Sequence, residues 1–176
     1  GDYRDGGARF ADLNNDGLVD VVQSQFNGGM SSSVYINDGN GITVSDSGYS
    51  VPTHFSQIGY DGGARLADAN GDGFVDIVVG DDYYDTNAIY LNDGDGTGWT
   101  LTTGMLPVEF NLYNVNANPY DTGVRLMDVD GDGLVDLVRH DDTRSAGGSG
   151  VYIHDGEVPD LLSSVTTSLG GSVTVS

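Results

Sequence analysis

Fifteen positions of this chain form three copies of one oxygen-rich constellation. Asp12, Asn14, Asp16 and Asp20, then Asp68, Asn70, Asp72 and Asp76, then Asp128, Asp130, Asp132 and Asp136 occupy positions 1, 3, 5 and 9 of the pattern D-x-[DN]-x-D-G-x-x-D. The backbone carbonyls at position 7, on Leu18, Phe74 and Leu134, complete the protein part of each set. Hard divalent cations take six to eight oxygen ligands, and carboxylates at alternate positions of a tight loop bring several to one point. Glycine at position 6 permits the sharp turn, because it takes positive φ at little steric cost. The expected chemistry is calcium coordination at three sites, one per copy, with water filling the shell. Two unit charges 4 Å apart repel by about 4 kcal/mol at an effective dielectric near 20, so without a cation the loops should open. The third loop has four carboxylates where the others have three and an asparagine, and is expected to bind tightest.

Two related loops are excluded by spacing. An EF-hand needs a bidentate glutamate at position 12 and flanking helices, and a dockerin-like loop also needs an acidic ligand there. Position 12 is Gln23, Val79 or Arg139. Other chemistry-bearing residues assemble nothing. His54, His140 and His154 share no spacing and read as surface or turn residues. Asp81-Asp82 and Asp141-Asp142 read as solvated loop charge, not an acid/base pair, since no nucleophile stands near them. Arg9, Arg65 and Arg125 sit three residues before each loop and predict structural ion pairs within or between repeats. Trp99, Tyr83, Tyr84 and Tyr113 could stack on sugars but read first as packing residues. No Ser-His-Asp arrangement and no phosphate loop is present, so no enzyme is expected.

The elements that must position the loops recur with them. The loops begin 56 and then 60 residues apart. Asp5-Gly6-Gly7-Ala8-Arg9, Asp61-Gly62-Gly63-Ala64-Arg65 and Asp121-Thr122-Gly123-Val124-Arg125 precede them; Val34-Tyr35-Ile36, Ile89-Tyr90-Leu91 and Val151-Tyr152-Ile153 follow. Strands are predicted at Ala8 to Asp12 and its equivalents, and at Leu18 to Val22, Phe74 to Val79 and Leu134 to Val138. The apolar-Tyr-apolar triplets form third strands, each ending in an Asn-Asp-Gly or His-Asp-Gly turn. Fourth strands are predicted at Ile42 to Asp46 and Trp99 to Thr103. Residues 24–33, 80–88 and 140–150 read as insertions. Four antiparallel strands per repeat make a propeller blade. The expected fold is therefore all-β, a β-propeller-like array of three four-stranded antiparallel blades, with calcium loops between first and second strands. The divisions are 1–59, 60–119 and 120–156 for the blades. Residues 157–176 break register and are expected to form a strand pair completing or leaving the array.

Composition bounds the partners. The chain has 176 residues, 27 acidic side chains against six arginines, no lysine and a net charge of −21. Such a surface repels nucleic acid and anionic membranes. Without cysteine there is no disulfide or thiolate site. No apolar run reaches the ~18 residues of a membrane span, and no signal peptide is evident. Gly1 in place of methionine predicts a processed end or a fragment. Loops of this kind suit near-millimolar calcium, which points to an extracellular or cell-surface location.

On these motifs residues 1 to about 156 resemble the VCBS/FG-GAP repeats of extracellular proteins, the family whose blades form the β-propeller of integrin alpha chains. The resemblance implies that the acidic loop joins the first two strands of a blade and binds calcium. Asn15, where the other copies have glycine, departs from the pattern at a non-ligand position. Residues 160–171 also resemble, over a short stretch, the segment after such repeats in large bacterial toxin-complex and RHS-type proteins. The expected function is a calcium-stabilised, non-enzymatic extracellular structural or adhesion module of a larger secreted or surface protein. Three blades are too few to close a propeller of four to eight. Other blades of the same chain, other subunits, or a homopolymeric filament are therefore the expected partners. A lectin-like module binding glycans or a surface protein is the alternative, as is an accessory module of a toxin or surface enzyme.

Overall fold

A computed structural model describes residues 4–45, 49–82, 84–102, 106–113, 119–140, 149–155, 164–166 and 172–174. All regular structure among them is β. No helix of the described residues is long and apolar enough to cross a membrane.

The first unit contains β1 (Ala8–Ala11), β2 (Asp20–Phe26), β3 (Met30–Asn37) and β4 (Ile42–Ser45), paired antiparallel in that order. A short hairpin of β5 (Ser56–Gln57) and β6 (Tyr60–Asp61) follows, with β5 parallel to the end of β2. The second unit repeats this as β7 (Ala64–Ala67), β8 (Asp76–Asp81), β9 (Thr86–Asn92) and β10 (Trp99–Thr102), then the hairpin β11 (Asn111–Tyr113) and β12 (Pro119–Asp121). The third has β13 (Val124–Met127), β14 (Asp136–Arg139) and β15 (Gly150–Tyr152), three strands among the described residues where four are expected. A separate pair, β16 (Ser164–Thr166) and β17 (Ser172–Thr174), ends the chain.

Strand boundaries differ from those read in the sequence. The second strands start at the position-9 aspartate, not at position 7, because positions 5 to 8 are still in the turn. Most of 24–33 and 80–88 is strand as well. The Ser31-Ser32-Ser33 run pairs with Gln25, Ser24 and Gln23 although little of it is buried; pairing supplies the backbone hydrogen bonds that composition does not reveal. Of 140–150, residues 141–148 lie outside the described residues, as do Asp46 and Thr103 at the ends of the expected fourth strands.

Neighbouring units pack face to face. Successive side chains of a strand point to opposite faces, and β8, buried along its whole length, uses both. Ile77 and Val79 join Leu13, Val22 and Val34 of the first unit in one core, and Val78 joins Val124 and Leu137 of the third in another. Connecting segments seal each interface with a phenylalanine, Phe55 or Phe110, both fully buried and each crossed by an arginine guanidinium: Arg9 at 5.5 Å and Arg65 at 5.2 Å. The two interfaces are not equally filled. Leu13, Tyr49 and Trp99 close the first, whereas Ala69 at the position of Leu13 borders a 220 Å³ cavity with Val78, Leu126, Leu137 and Tyr152 in the second.

One stretch of the tail is similar in sequence to the segments that connect the units. Val51-Pro52-Thr53-His54-Phe55-Ser56 and Leu106-Pro107-Val108-Glu109-Phe110-Asn111 run into the first residues of β5 and β11, and the similar sequence Val158-Pro159-Asp160-Leu161-Leu162-Ser163 stands immediately before β16.

Each unit opens with the same backbone device. Asp5, Asp61 and Asp121 each accept the N–H two residues on, from Gly7, Gly63 and Gly123, at 2.7, 2.9 and 2.7 Å. Each also pairs with the arginine four residues on, at 2.8, 2.6 and 3.0 Å. The arginines thus pair within their own unit. At Gly63, φ is +71° and an added Cβ would lie 2.7 Å from the Gly80 carbonyl oxygen. Left-handed backbone costs a side chain about 1–2 kcal/mol before any clash, so Gly63→Ala is expected to lower stability by more than about 2 kcal/mol in thermal or urea unfolding. Burial raises the carboxyls of Asp5 and Asp121, but the arginine and glycine hydrogen bonds outweigh it and hold both below their ordinary 3.8. A depressed folded value stabilises the fold above the unfolded value and ceases to as pH falls through the folded one. Unfolding temperature should therefore drop as pH is taken below about 4, and Arg9→Gln should shallow that drop.

Candidate metal centre

Each acidic loop is organised by its own carboxylates before any ion is considered. The position-1 aspartates fold the loop over themselves: Asp12 accepts N–H groups from Asp16 and Gly17, Asp68 from Gly71 and Gly73, Asp128 from Gly131 and Gly133. The position-5 aspartates each accept the N–H of position 7, so Leu18, Phe74 and Leu134 are fixed by Asp16, Asp72 and Asp132 at 2.8–2.9 Å. Position 6 is left-handed in all three loops, with φ of 85°, 89° and 93°. Position 4 is left-handed too: Gly71 and Gly131 have φ of 76° and 85°, and Asn15 has 57°. Asparagine is among the few non-glycine residues that visit this region readily, which accounts for Asn15.

Position 9 plays a different part. Asp20, Asp76 and Asp136 are fully buried. One oxygen of each accepts the N–H of loop position 2, from Leu13, Ala69 and Val129, at 2.8–2.9 Å. The other accepts an N–H at or just past the end of the third strand, from Asn37, Asn92 and His154, each at 2.8 Å. Each aspartate therefore ties its loop to the far side of the second strand. The middle loop is the most enclosed. Burial pushes the Asp76 carboxyl up to about 6 against its two backbone bonds, and the charges of Asp72 and Asp68 add to the rise. The N–H groups of His154 and Val129 hold Asp136 below the ordinary value, outweighing its burial.

The loops differ in how far their carboxylates converge. In the third, Asp128, Asp130 and Asp136 each offer an oxygen within 4.8 Å of the others, the one such acidic or histidine cluster among the described residues. In the first two, the Asn14 and Asn70 amides donate to Asp16 and Asp72 at 3.0 and 2.8 Å, as a neutral side chain can and a carboxylate cannot. The donor set fits a hard cation: it is oxygen throughout, with no sulfur or imidazole in the loops.

Residues outside the loops sort differently from the sequence reading. His54 is not a surface residue. It is 9% exposed, packed against Phe26 and Tyr84, with Nε2 buried, lacking a hydrogen-bond partner and 4.0 Å from Asp81. Burial pushes its imidazole down, against the pull of the Asp81 carboxylate. Asp81 is buried as well, so the solvated reading holds for Asp82 and not for Asp81. His140 and His154 are exposed. Asp141, Asp142 and Tyr83 lie outside the described residues, as does the side chain of Tyr113. Trp99 is a packing residue, 5.3 Å from Tyr49 and donating to the Val75 carbonyl at 3.3 Å. Tyr84 is exposed beside an open depression that His54, Phe26 and Tyr90 also line. The partners at Asn37, Asn92 and His154 were missed, although their signal was present in the recurrent [NH]-D-G after each third strand.

Removing the position-9 carboxylate leaves two buried N–H groups unpaired, at about 1–3 kcal/mol each. Asp76→Ala is therefore expected to lose about 2–6 kcal/mol in urea unfolding even in EDTA. An unchanged midpoint would show that these bonds contribute nothing of their own.

No curated protein and no solved structure matches the chain. A model of the FG-GAP-like repeat matches residues 12–79 and, overlapping it, 68–139. Each match starts at a position-1 aspartate, runs through two whole acidic loops and the strands between them, and ends in or at the close of the second strand of the next unit. The chain belongs to the FG-GAP-like repeat family, and its all-β units are those of a β-propeller-like fold.

Proposed function

We propose that the chain is a calcium-stabilised, non-enzymatic structural or adhesive module of a secreted or surface protein, its units acting as β-propeller blades. One observation carries the metal reading: three loops share one turn geometry, and the third brings the oxygens of Asp128, Asp130 and Asp136 within 4.8 Å. Asp12, Asn14, Asp16 and Asp20 would hold the ion in the first loop, Asp68, Asn70, Asp72 and Asp76 in the second, and Asp128, Asp130, Asp132 and Asp136 in the third. The carbonyls of Leu18, Phe74 and Leu134 would join them. Bound calcium supplies positive charge where carboxylates otherwise repel.

The protein's own residues do the rest. Positions 1 and 5 shape the loop through backbone N–H groups, and position 9 anchors it to the third strand. In the first two loops the asparagine amide would have to turn its oxygen inward and release the neighbouring aspartate. The third loop needs no such exchange, which supports its being the tightest site. An extracellular location follows from the same chemistry, since weak oxygen-only sites fill where calcium is plentiful.

Calcium at a hundred times its dissociation constant stabilises by about 2.7 kcal/mol per site. In a chain of this size, EDTA is then expected to lower the unfolding temperature by about 5 °C or more. Asp130→Ala should abolish the highest-affinity step in a calcium titration while leaving stability in EDTA nearly unchanged. A melting curve indifferent to calcium would end this reading.

A further inference from the structure

The first and second acidic loops meet through one side chain. Asn92, the last residue of β9 in the second unit, is buried. Its backbone N–H donates to Asp76, the position-9 aspartate of the second loop, at 2.8 Å. Its Nδ2 donates to the Val75 carbonyl at position 8 of that loop and, across the joint, to the Leu13 carbonyl at position 2 of the first loop, at 3.2 and 2.9 Å. Gly94 donates to Oδ1 at 3.0 Å, which fixes the nitrogen as the atom facing the two carbonyls.

A second route runs beside it. Trp99 Nε1 donates to the same Val75 carbonyl at 3.3 Å, its ring lies 5.3 Å from that of Tyr49, and the Tyr49 hydroxyl donates to the same Leu13 carbonyl at 3.3 Å. The loops themselves lie alongside each other, since a Cβ built on Gly73 would stand 3.5 Å from Asn15 Nδ2. The Leu13 peptide leads directly into Asn14, and the Val75 peptide into Asp76. One amide thus grips each loop next to a residue of its oxygen set.

Carboxylates without an ion repel one another and favour an open turn, and a turn that opens carries its Leu13 or Val75 carbonyl away from the amide. A buried donor left without its acceptor is costly, so an open loop withdraws support from its neighbour and a closed one lends it. We propose that the first and second loops bind calcium with positive cooperativity, the Asn92 side chain being the element that couples them. Repulsion between two bound ions acts in the opposite direction, but salt screens it between exposed loops, whereas the amide is buried. The proposal rests on the calcium reading of the loops and adds how two of the sites act on each other.

The test is a calcium titration of the intact chain in about 0.15 M salt, followed by the amide resonances of Gly17, Gly73 and Gly133. Each of these N–H groups bonds its own position-1 aspartate, so the three loops are read separately. Asp72→Asn, which removes one charge from the second loop, is expected to weaken calcium binding at Gly17 by about fivefold or more, and Asp16→Asn to weaken it at Gly73 by the same factor, because coupling is reciprocal. Combined with Asn92→Ala, both cross-effects should fall below about twofold, as a double-mutant cycle requires of the coupling element. Asn92→His is the gentler variant: His154 holds this place in the third unit, and a neutral imidazole, with one ring N–H, cannot serve two carbonyls. Loops that titrate independently overturn the proposal. So does a cross-effect that tightens the neighbour, or one that survives both Asn92 variants. Glycine signals that ignore calcium altogether sink the metal reading with it, whereas signals that move without cross-effects sink the coupling alone.

Discussion

A buried aspartate at the ninth position of each acidic loop is the constraint from which the rest of each unit is built. A carboxylate taken out of water is costly unless its oxygens are hydrogen-bonded. Asp20, Asp76 and Asp136 meet that demand with one backbone N–H from the loop and one from the third strand. The requirement runs both ways, because the Leu13, Ala69 and Asn92 N–H groups are buried and need an acceptor. One side chain thereby fixes where the loop closes, where the second strand begins and where the third ends. The carboxylates at positions 1 and 5 shape the turn itself, through N–H groups of the same loop. The first-unit loop is further tied to its neighbour, since Asn92 of the second unit donates to the Leu13 carbonyl at 2.9 Å.

Burial on both faces explains the composition of the middle strand. Ile77, Val78 and Val79 are consecutive and apolar because odd and even positions look into different cores. The first unit's second strand replaces Val79 with Gln23, and the third's replaces it with Arg139. Gln23 is partly exposed among the described residues, whereas Arg139 is buried. The same logic governs loop position 2, where Leu13 and Ala69 are buried beneath the next unit and Val129 is not.

Much of this was legible in the sequence because it rests on short-range stereochemistry. A left-handed turn demands glycine or asparagine, and a carboxylate can reach only the N–H groups a few residues away. The acidic loops, the Asp-x-Gly-x-Arg openings and the four-strand order of the first two units follow from such local rules. Strand lengths did not, since Ser31 to Ser33 have no apolar signature and are strand because Gln23 to Gln25 lie opposite. The enclosure of His54 and Asp81 was also hidden. It comes from Phe26 and Tyr84, which are far from His54 in sequence and reach it only once two units pack. The connecting segment was readable as [VL]-P-x-x-[FL]-[SN], but its third copy stands out only after the first two are seen to do the same work.

The unequal filling of the two joints has a mechanical consequence. A joint whose walls lack partner atoms forfeits dispersion attraction, and the space beside Ala69 is walled by residues of both units it connects. The joint sealed by Leu13, Tyr49 and Trp99 is the stiffer hinge, and the one beside Ala69 the more compliant. Pulled from its ends, the array is expected to yield first between its second and third units, which a single-molecule extension trace would register as the lower-force step.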